Sequence, residues 1–175
     1  MAEFKAWGKT PRYKGLDVTI TEKIDGTNSC FVVEDGEIVL VQSRNRVIKP
    51  GDDNFGFAFW VHENKDDLSK MGDGYHYGEW AGPGIQKNPH ELEEKTFFYF
   101  NTFRPQETLP PQIKQVPILY QGEFSNTVLD RVMDELANGG SVVGPGKAEG
   151  VIIYFHDSRH HMKYTFNNNQ EKWRL

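Results

Sequence analysis

The sequence contains a single cysteine, Cys30, so no disulfide forms within the chain and a four-cysteine zinc site is excluded. Long apolar runs are missing too. No segment reaches the roughly 18 apolar residues of a membrane-spanning helix, and residues 1–15 hold no apolar block of signal-peptide length. The expected setting is therefore soluble and cytoplasmic, with no membrane partner. Positive charge is not in excess: 20 Lys and Arg against 25 Asp and Glu give a net charge of −5. That excludes a polybasic protein whose whole surface attracts phosphate, but it leaves room for a local basic cleft. Internal repeats and low-complexity tracts are also absent. What is present is large apolar surface, with 12 Phe, 7 Tyr and 4 Trp among 175 residues, enough for a packed core and too much for a disordered chain.

Apolar and polar residues alternate over 17–22, which predicts a strand. Residues 29–34 and 37–42 predict a hairpin around Asp35-Gly36, a pair that tolerates positive φ. Phe55, Ala58, Phe59 and His62 recur at helical spacing within 53–63, with Asp52 or Asp53 as the N-cap. Strands are expected at 75–80, 97–103, 149–155 and 160–166. Ser125 is expected to cap a helix whose apolar face is Val128, Leu129, Val132, Met133 and Leu136, stopped by Asn138-Gly139-Gly140. Residues 104–117, with four prolines, read as a surface connection. Strands with helices interspersed make an α+β domain.

The chemistry concentrates at Lys23-Ile24-Asp25-Gly26-Thr27-Asn28, directly after the first strand. A lysine at a strand end, followed by a glycine turn, is well placed as an exposed nucleophile. An amine attacks only as the free base, so such a site has to favour loss of the lysine's proton. The hexapeptide resembles the Lys-x-Asp-Gly-x-Asn motif of covalent nucleotidyltransferases, the superfamily of ATP-dependent ligases and mRNA capping enzymes. Further family motifs follow in the family's order. Ser43-Arg44 resembles the Ser-Arg motif, and Tyr77-Gly78-Glu79-Trp80 with Gly82-Pro83-Gly84-Ile85-Gln86 resembles the Gly-Glu motif and its extension in RNA ligases. Phe98-Tyr99-Phe100-Asn101 is similar to the aromatic motif, with Asn101 in place of Asp. Glu149-Gly150-Val151-Ile152-Ile153, Lys163-Tyr164-Thr165 and Gln170-Glu171-Lys172 resemble the last three.

The resemblance implies two packed, largely antiparallel sheets with flanking helices, the ATP-grasp-like nucleotidyltransferase domain, spanning 1–175 as a single minimal unit without a separate nucleic-acid-binding domain. It implies Lys23 as the nucleophile that takes AMP from ATP. Lys163 would contact the α-phosphate and help keep Lys23 uncharged. Glu22 and Ile24 would flank the nucleotide, Glu79 would accept from the ribose hydroxyls, and Phe100 would stack on adenine. Glu149 would hold Mg2+ or Mn2+, since a hard cation prefers carboxylate oxygen and retained water. Asn28 and Arg44 would hold an RNA phosphate, for which the Arg fork is suited. The expected partners are RNA ends, with a protein partner supplying further RNA contacts where ends are not already aligned.

The second lysine of the last Lys-x-Lys motif is Thr165, which removes a charge near the departing pyrophosphate; Lys147, Arg159 or Lys172 would have to supply it. A DNA ligase or a capping-type guanylyltransferase is disfavoured by Asn28 and the Gly-Pro-Gly-Ile-Gln run. A non-catalytic nucleotide- or RNA-binding module of the same fold remains the alternative from another class, favoured by Thr165 and opposed by intact Lys23, Glu79 and Glu149. Gly144-Pro145-Gly146-Lys147 fails as a phosphate loop because Ser141 and Ala148 stand where Gly and Ser or Thr are needed. His156, His160 and His161 are not expected to share a metal, because neighbours in a strand point to opposite faces. They are expected to form a basic stripe with Arg159 and Lys163.

Overall fold

The first strand sets the plan of the molecule. In β1 (Asp17–Glu22), Val18 and Ile20 turn into an apolar core, while Thr19 and Thr21 turn to the opposite face and line a cleft. The structure, a computed structural model, describes residues 3–10, 12 and 15–167. Among the described residues the chain continues through β2 (Thr27–Glu34), β3 (Glu37–Ser43), α1 (Phe57–Glu63), α2 (Lys65–Leu68), β4 (Gly74–Ala81) and β5 (Thr96–Tyr99). Then follow β6 (Ile113–Gln115), β7 (Ile118–Glu123), α3 (Asn126–Gly139), β8 (Gly150–Phe155) and β9 (His160–Thr165). Two sheets result. The four-stranded sheet has the order β7-β1-β8-β9 and the five-stranded sheet the order β3-β2-β4-β5-β6. All pairings are antiparallel except β5 with β6. The α+β class and the two-sheet architecture expected from the sequence are what the chain adopts.

Each sheet has one face on a core and one toward the cleft. Behind the four-stranded sheet, α3 lays Leu129, Val132, Met133 and Leu136 onto Val18, Ile20, Val151 and Ile153. Burying each of these side chains stabilises the fold by about 2 kcal/mol. Ser125 caps α3 as expected, its hydroxyl accepting from the Val128 N–H at 3.2 Å. Behind the five-stranded sheet lies an aromatic cluster, in which Phe57 and Trp60 of α1 meet Trp80 and Phe97 with ring centroids 5.1–5.8 Å apart.

Several expectations change. The helix expected at 53–63 starts only at Phe57, because the chain enters it through a left-handed Gly56. Asp53 caps it from a distance: its carboxylate accepts from the Ala58 and Phe59 N–H groups at 2.8 and 2.9 Å. Asp52 is drawn instead to Arg46. The strand expected at 97–103 ends at Tyr99, and 100–104 turn away, with Asn101 Oδ1 accepting from the Phe103 N–H. Residues 104–117 are not merely a surface connection, since they supply β6 and bury Leu109, Ile113 and Val116. The strand β7, paired to β1, lies where no element was expected. Gln170-Glu171-Lys172 fall outside the described residues.

Candidate active site

The turn from β1 to β2 joins the two sheets, and Lys23 stands in it. Its backbone N–H donates to the Gly150 carbonyl at 2.9 Å, which anchors it beside β8. Gly26 is required by space rather than by φ, since a Cβ there would sit 2.4 Å from the Trp80 carbonyl oxygen. From this turn the sheets diverge and enclose a cleft of about 840 Å³. Lys23, Ile24, Asn28, Arg44, Glu79, Phe100 and Lys163 all line it, so the structure brings most of the site residues expected from the sequence to one place.

Sheet register explains how. Asn28 lies directly opposite Glu79, and Glu79 opposite Phe98, which makes a row across the cleft face of the five-stranded sheet. Phe98 is buried in a core with Ile24, Ala81, Leu92 and Val116, whereas Phe100, just past the strand end, is exposed and lines the cleft. On the other sheet Ile152 pairs with Lys163 and Tyr154 with His161, and all four line the cleft. Ile152 and Phe100 thus offer apolar surface from the two sheets. Ile152 and Tyr154 had no assigned role in the sequence, although their period-two spacing on β8 marks one face. The expected basic stripe divides: His161 and Lys163 reach the cleft, His160 alternates to the other face, and Arg159 sits in the turn at φ 56°.

Charge is concentrated around Lys23. Its Nζ donates to Glu149 Oε2 at 2.5 Å, with both side chains partly exposed. Burial pushes the Glu79 carboxyl up to about 7; the Lys23 and Arg44 charges and the Gly26 N–H pull it down, and Asp25 pushes it up. Glu149 and Asp25 also line a second cavity of about 590 Å³ on the far side of the turn, together with Lys87 and Lys147. Thr165 is only 7 % exposed, so the position where the family carries a second lysine is a buried one here. Lys147 is thus the expected substitute that the structure brings to the Glu149 side, while Lys172 lies outside the described residues.

The Glu22 main chain borders the cleft, but its carboxylate is wholly buried on the other side. It accepts from the Ser141 hydroxyl at 2.6 Å and the Val142 N–H at 2.9 Å. Among the described residues, no group of three or more His, Cys, Asp or Glu is gathered closely enough to cage a metal ion. The Glu149 carboxylate, paired with Lys23, offers oxygen donors beside it. That donor set fits a hydrated Mg2+ or Mn2+ shared with a phosphate rather than a closed protein cage.

The two sheets, the lysine at their junction and the carboxylates around it define a nucleotidyltransferase domain. A family model described as RNA ligase matches residues 16–165, and the chain belongs to that family. Among solved structures it is similar to the RNA ligase of Naegleria gruberi. A glutamate-to-alanine variant of that protein with ATP and Mn superposes with TM-score 0.65 and 24 % identity, covering 88 % of this chain and 51 % of that one. A lysine-to-methionine variant with AMP and Mn gives TM-score 0.63 and 23 % identity, covering 87 % and 50 %. At this identity the likeness speaks for the fold, and the chain spans about half the length of the Naegleria protein. No helix among the described residues is long and apolar enough to cross a membrane.

Proposed function

We propose that this protein is an ATP-dependent RNA ligase working through a covalent lysyl-AMP. The observation that carries the reading is the position of Lys23, at the junction of the two sheets and on the cleft wall, with Glu149 at 2.5 Å. The lysine nitrogen attacks the α-phosphorus of ATP, a P–N bond forms, the α–β phosphoanhydride breaks, and pyrophosphate leaves. The lysine's proton passes to Glu149, its nearest acceptor. AMP then moves to the 5′-phosphate of an RNA end, restoring the free amine. The 3′-hydroxyl of a second end displaces AMP and makes the phosphodiester bond.

Chemistry assigns the other roles. Lys163 neutralises the α-phosphate from the opposite wall. Glu79, when ionised, accepts from the ribose hydroxyls. Phe100 and Ile152 flank the adenine ring. Arg44 and Asn28, on one wall of the cleft, take the phosphate of the RNA end. Glu149 would hold a hydrated divalent ion, which when bound spreads the charge of the phosphates. Naegleria ligase structures that contain ATP or AMP with Mn support ATP and a divalent metal as the cofactors.

The test is intact mass after incubation with a nucleotide and Mg2+ or Mn2+. A gain of one AMP is expected with ATP, no gain with GTP, and no adduct in Lys23→Ala. That variant should change folding stability by only about 1 kcal/mol, because the lost ion pair is partly solvated. An adduct that survives Lys23→Ala, or none in the unaltered protein, would overturn the reading.

A further inference from the structure

His90 lies in the loop between β4 and β5, after the Gly82–Gln86 run, and no step of the proposed reaction uses it. Its side chain is fully buried, as is that of Glu22. The Nε2 atom lies 2.9 Å from the Asp25 backbone nitrogen. A backbone N–H only donates, so Nε2 accepts and the ring proton belongs to Nδ1. Nδ1 faces Ser141 Oγ at 3.0 Å and Glu22 Oε1 at 3.2 Å. One neutral ring therefore ties the residue before Lys23 to the residue two places after it.

The surroundings are built to seat this ring. Gln86, Asn88 and Glu91 adopt positive φ of 49, 44 and 54°, which non-glycine residues rarely do unless the neighbourhood enforces it. A Cβ on Gly144 would lie 2.1 Å from the His90 carbonyl oxygen, and one on Gly146 would lie 2.1 Å from that of Pro89. The Gly146 N–H donates to the His90 carbonyl at 3.0 Å, and the Lys147 N–H to that of Pro89 at 2.7 Å. The Gly-Pro-Gly run at 144–146 thus exists for close backbone approach to the His90 loop.

We infer that His90 is a positioning residue for the nucleophile: by bridging the Glu22 carboxylate and the Asp25 N–H, it fixes the main chain from which Lys23 reaches the α-phosphate. This rests on the proposal that Lys23 accepts AMP. Misplacing an attacking group by about an ångström lowers a rate without abolishing binding. The last step, sealing of an already adenylylated RNA end, does not use the lysine nitrogen as attacker.

Two variants separate the two ends of the bridge. His90→Asn keeps a donor near the Nδ1 position and loses the acceptor for Asp25. His90→Gln puts a carbonyl oxygen near the Nε2 position. In the full chain, His90→Asn should slow enzyme–AMP formation about 10- to 100-fold with the KM for ATP changed less than about threefold. Sealing of pre-adenylylated RNA should fall by less than about threefold, and His90→Gln should recover part of the lost rate. Equal losses in both steps, or a His90→Asn rate equal to that of the unaltered protein, would overturn the inference.

A readout independent of activity is the ring tautomer of His90, from nitrogen-15 NMR of the unaltered protein at neutral pH. The Nδ1–H form is expected, and an Nε2–H or doubly protonated ring would overturn the inference even if neither variant folds. Failure of the unaltered protein to form any adduct would instead overturn the ligase reading, so the two failures are distinct.

Discussion

The two sheets solve the same problem with different material. The four-stranded sheet is covered by the 14-residue α3, whose aliphatic stripe meets valines and isoleucines. The five-stranded sheet has the short helices α1 and α2 behind it, and large rings fill much of that core, with Phe31 against Phe97 and Phe57, Trp60, Trp80 and Phe97 packed together. Their cleft faces differ as well. One presents Thr19, Thr21, Ile152, Tyr154 and Lys163, the other Asn28 and Glu79 with Phe100 just past a strand end. Neither sheet alone holds the site. Lys23 belongs to the turn that joins them, so the geometry of the candidate site is a property of how the two halves meet.

The largest effect should come from breaking the aromatic half. Phe97→Ala removes a ring in contact with Phe31, Phe57 and Trp60. It should cost about 4 kcal/mol in urea unfolding. On the other half, Leu136→Ala should cost about 3 kcal/mol. If the two cores are energetically separate, the double variant should lose the sum to within about 0.5 kcal/mol. A larger coupling would mean that the sheets behave as one core and that the comparison is too sharp.

The next effect concerns the cleft between them. Burial raises the Glu79 carboxyl from an ordinary 4.5 to about 7. The folded protein therefore binds this proton where the unfolded chain has released it. The contribution is present below about 4.5 and is lost as pH rises through about 7. Because the carboxyl is partly solvated, stability should fall by about 2 kcal/mol over that window. Glu79→Gln should flatten the curve. Over the same window ATP should bind more tightly as the ribose acceptor ionises, and this dependence should vanish in the variant. The smallest effect is at the edge of the aliphatic half: Ser125→Ala should cost about 1 kcal/mol by removing the acceptor for the Val128 N–H.

Much of the site was legible because its signals are local. Lys23, Asp25 and Asn28 lie within six residues, and the row Asn28–Glu79 follows once two alternating strands are known. The α3 stripe and its Ser125 cap need only helical periodicity. The strand end at Tyr99 was missed because the aromatic run continues past it, while Asn101 turns the backbone. The strand β7 was missed because it opens on three consecutive large residues, Ile118, Leu119 and Tyr120, so that the sequence shows no plain apolar–polar alternation.

By itself the sequence determined the chemistry on offer: a lysine at a strand end, carboxylates and an arginine in an ordered set, and apolar periodicities sufficient for two sheets and a capped helix. These are properties of neighbours along the chain, where dihedral preference and side-chain spacing act directly. Only the tertiary structure decided which way each group faces. It turned the Glu22 carboxylate away from the cleft toward Ser141, 119 residues later, and brought His90 to the Asp25 N–H across 65 residues. It also buried Thr165 beside Gly150 and gathered Lys147 near Glu149. Such pairings depend on sheet register and on the need to satisfy buried polar groups. Those constraints exist only once distant segments share one interior.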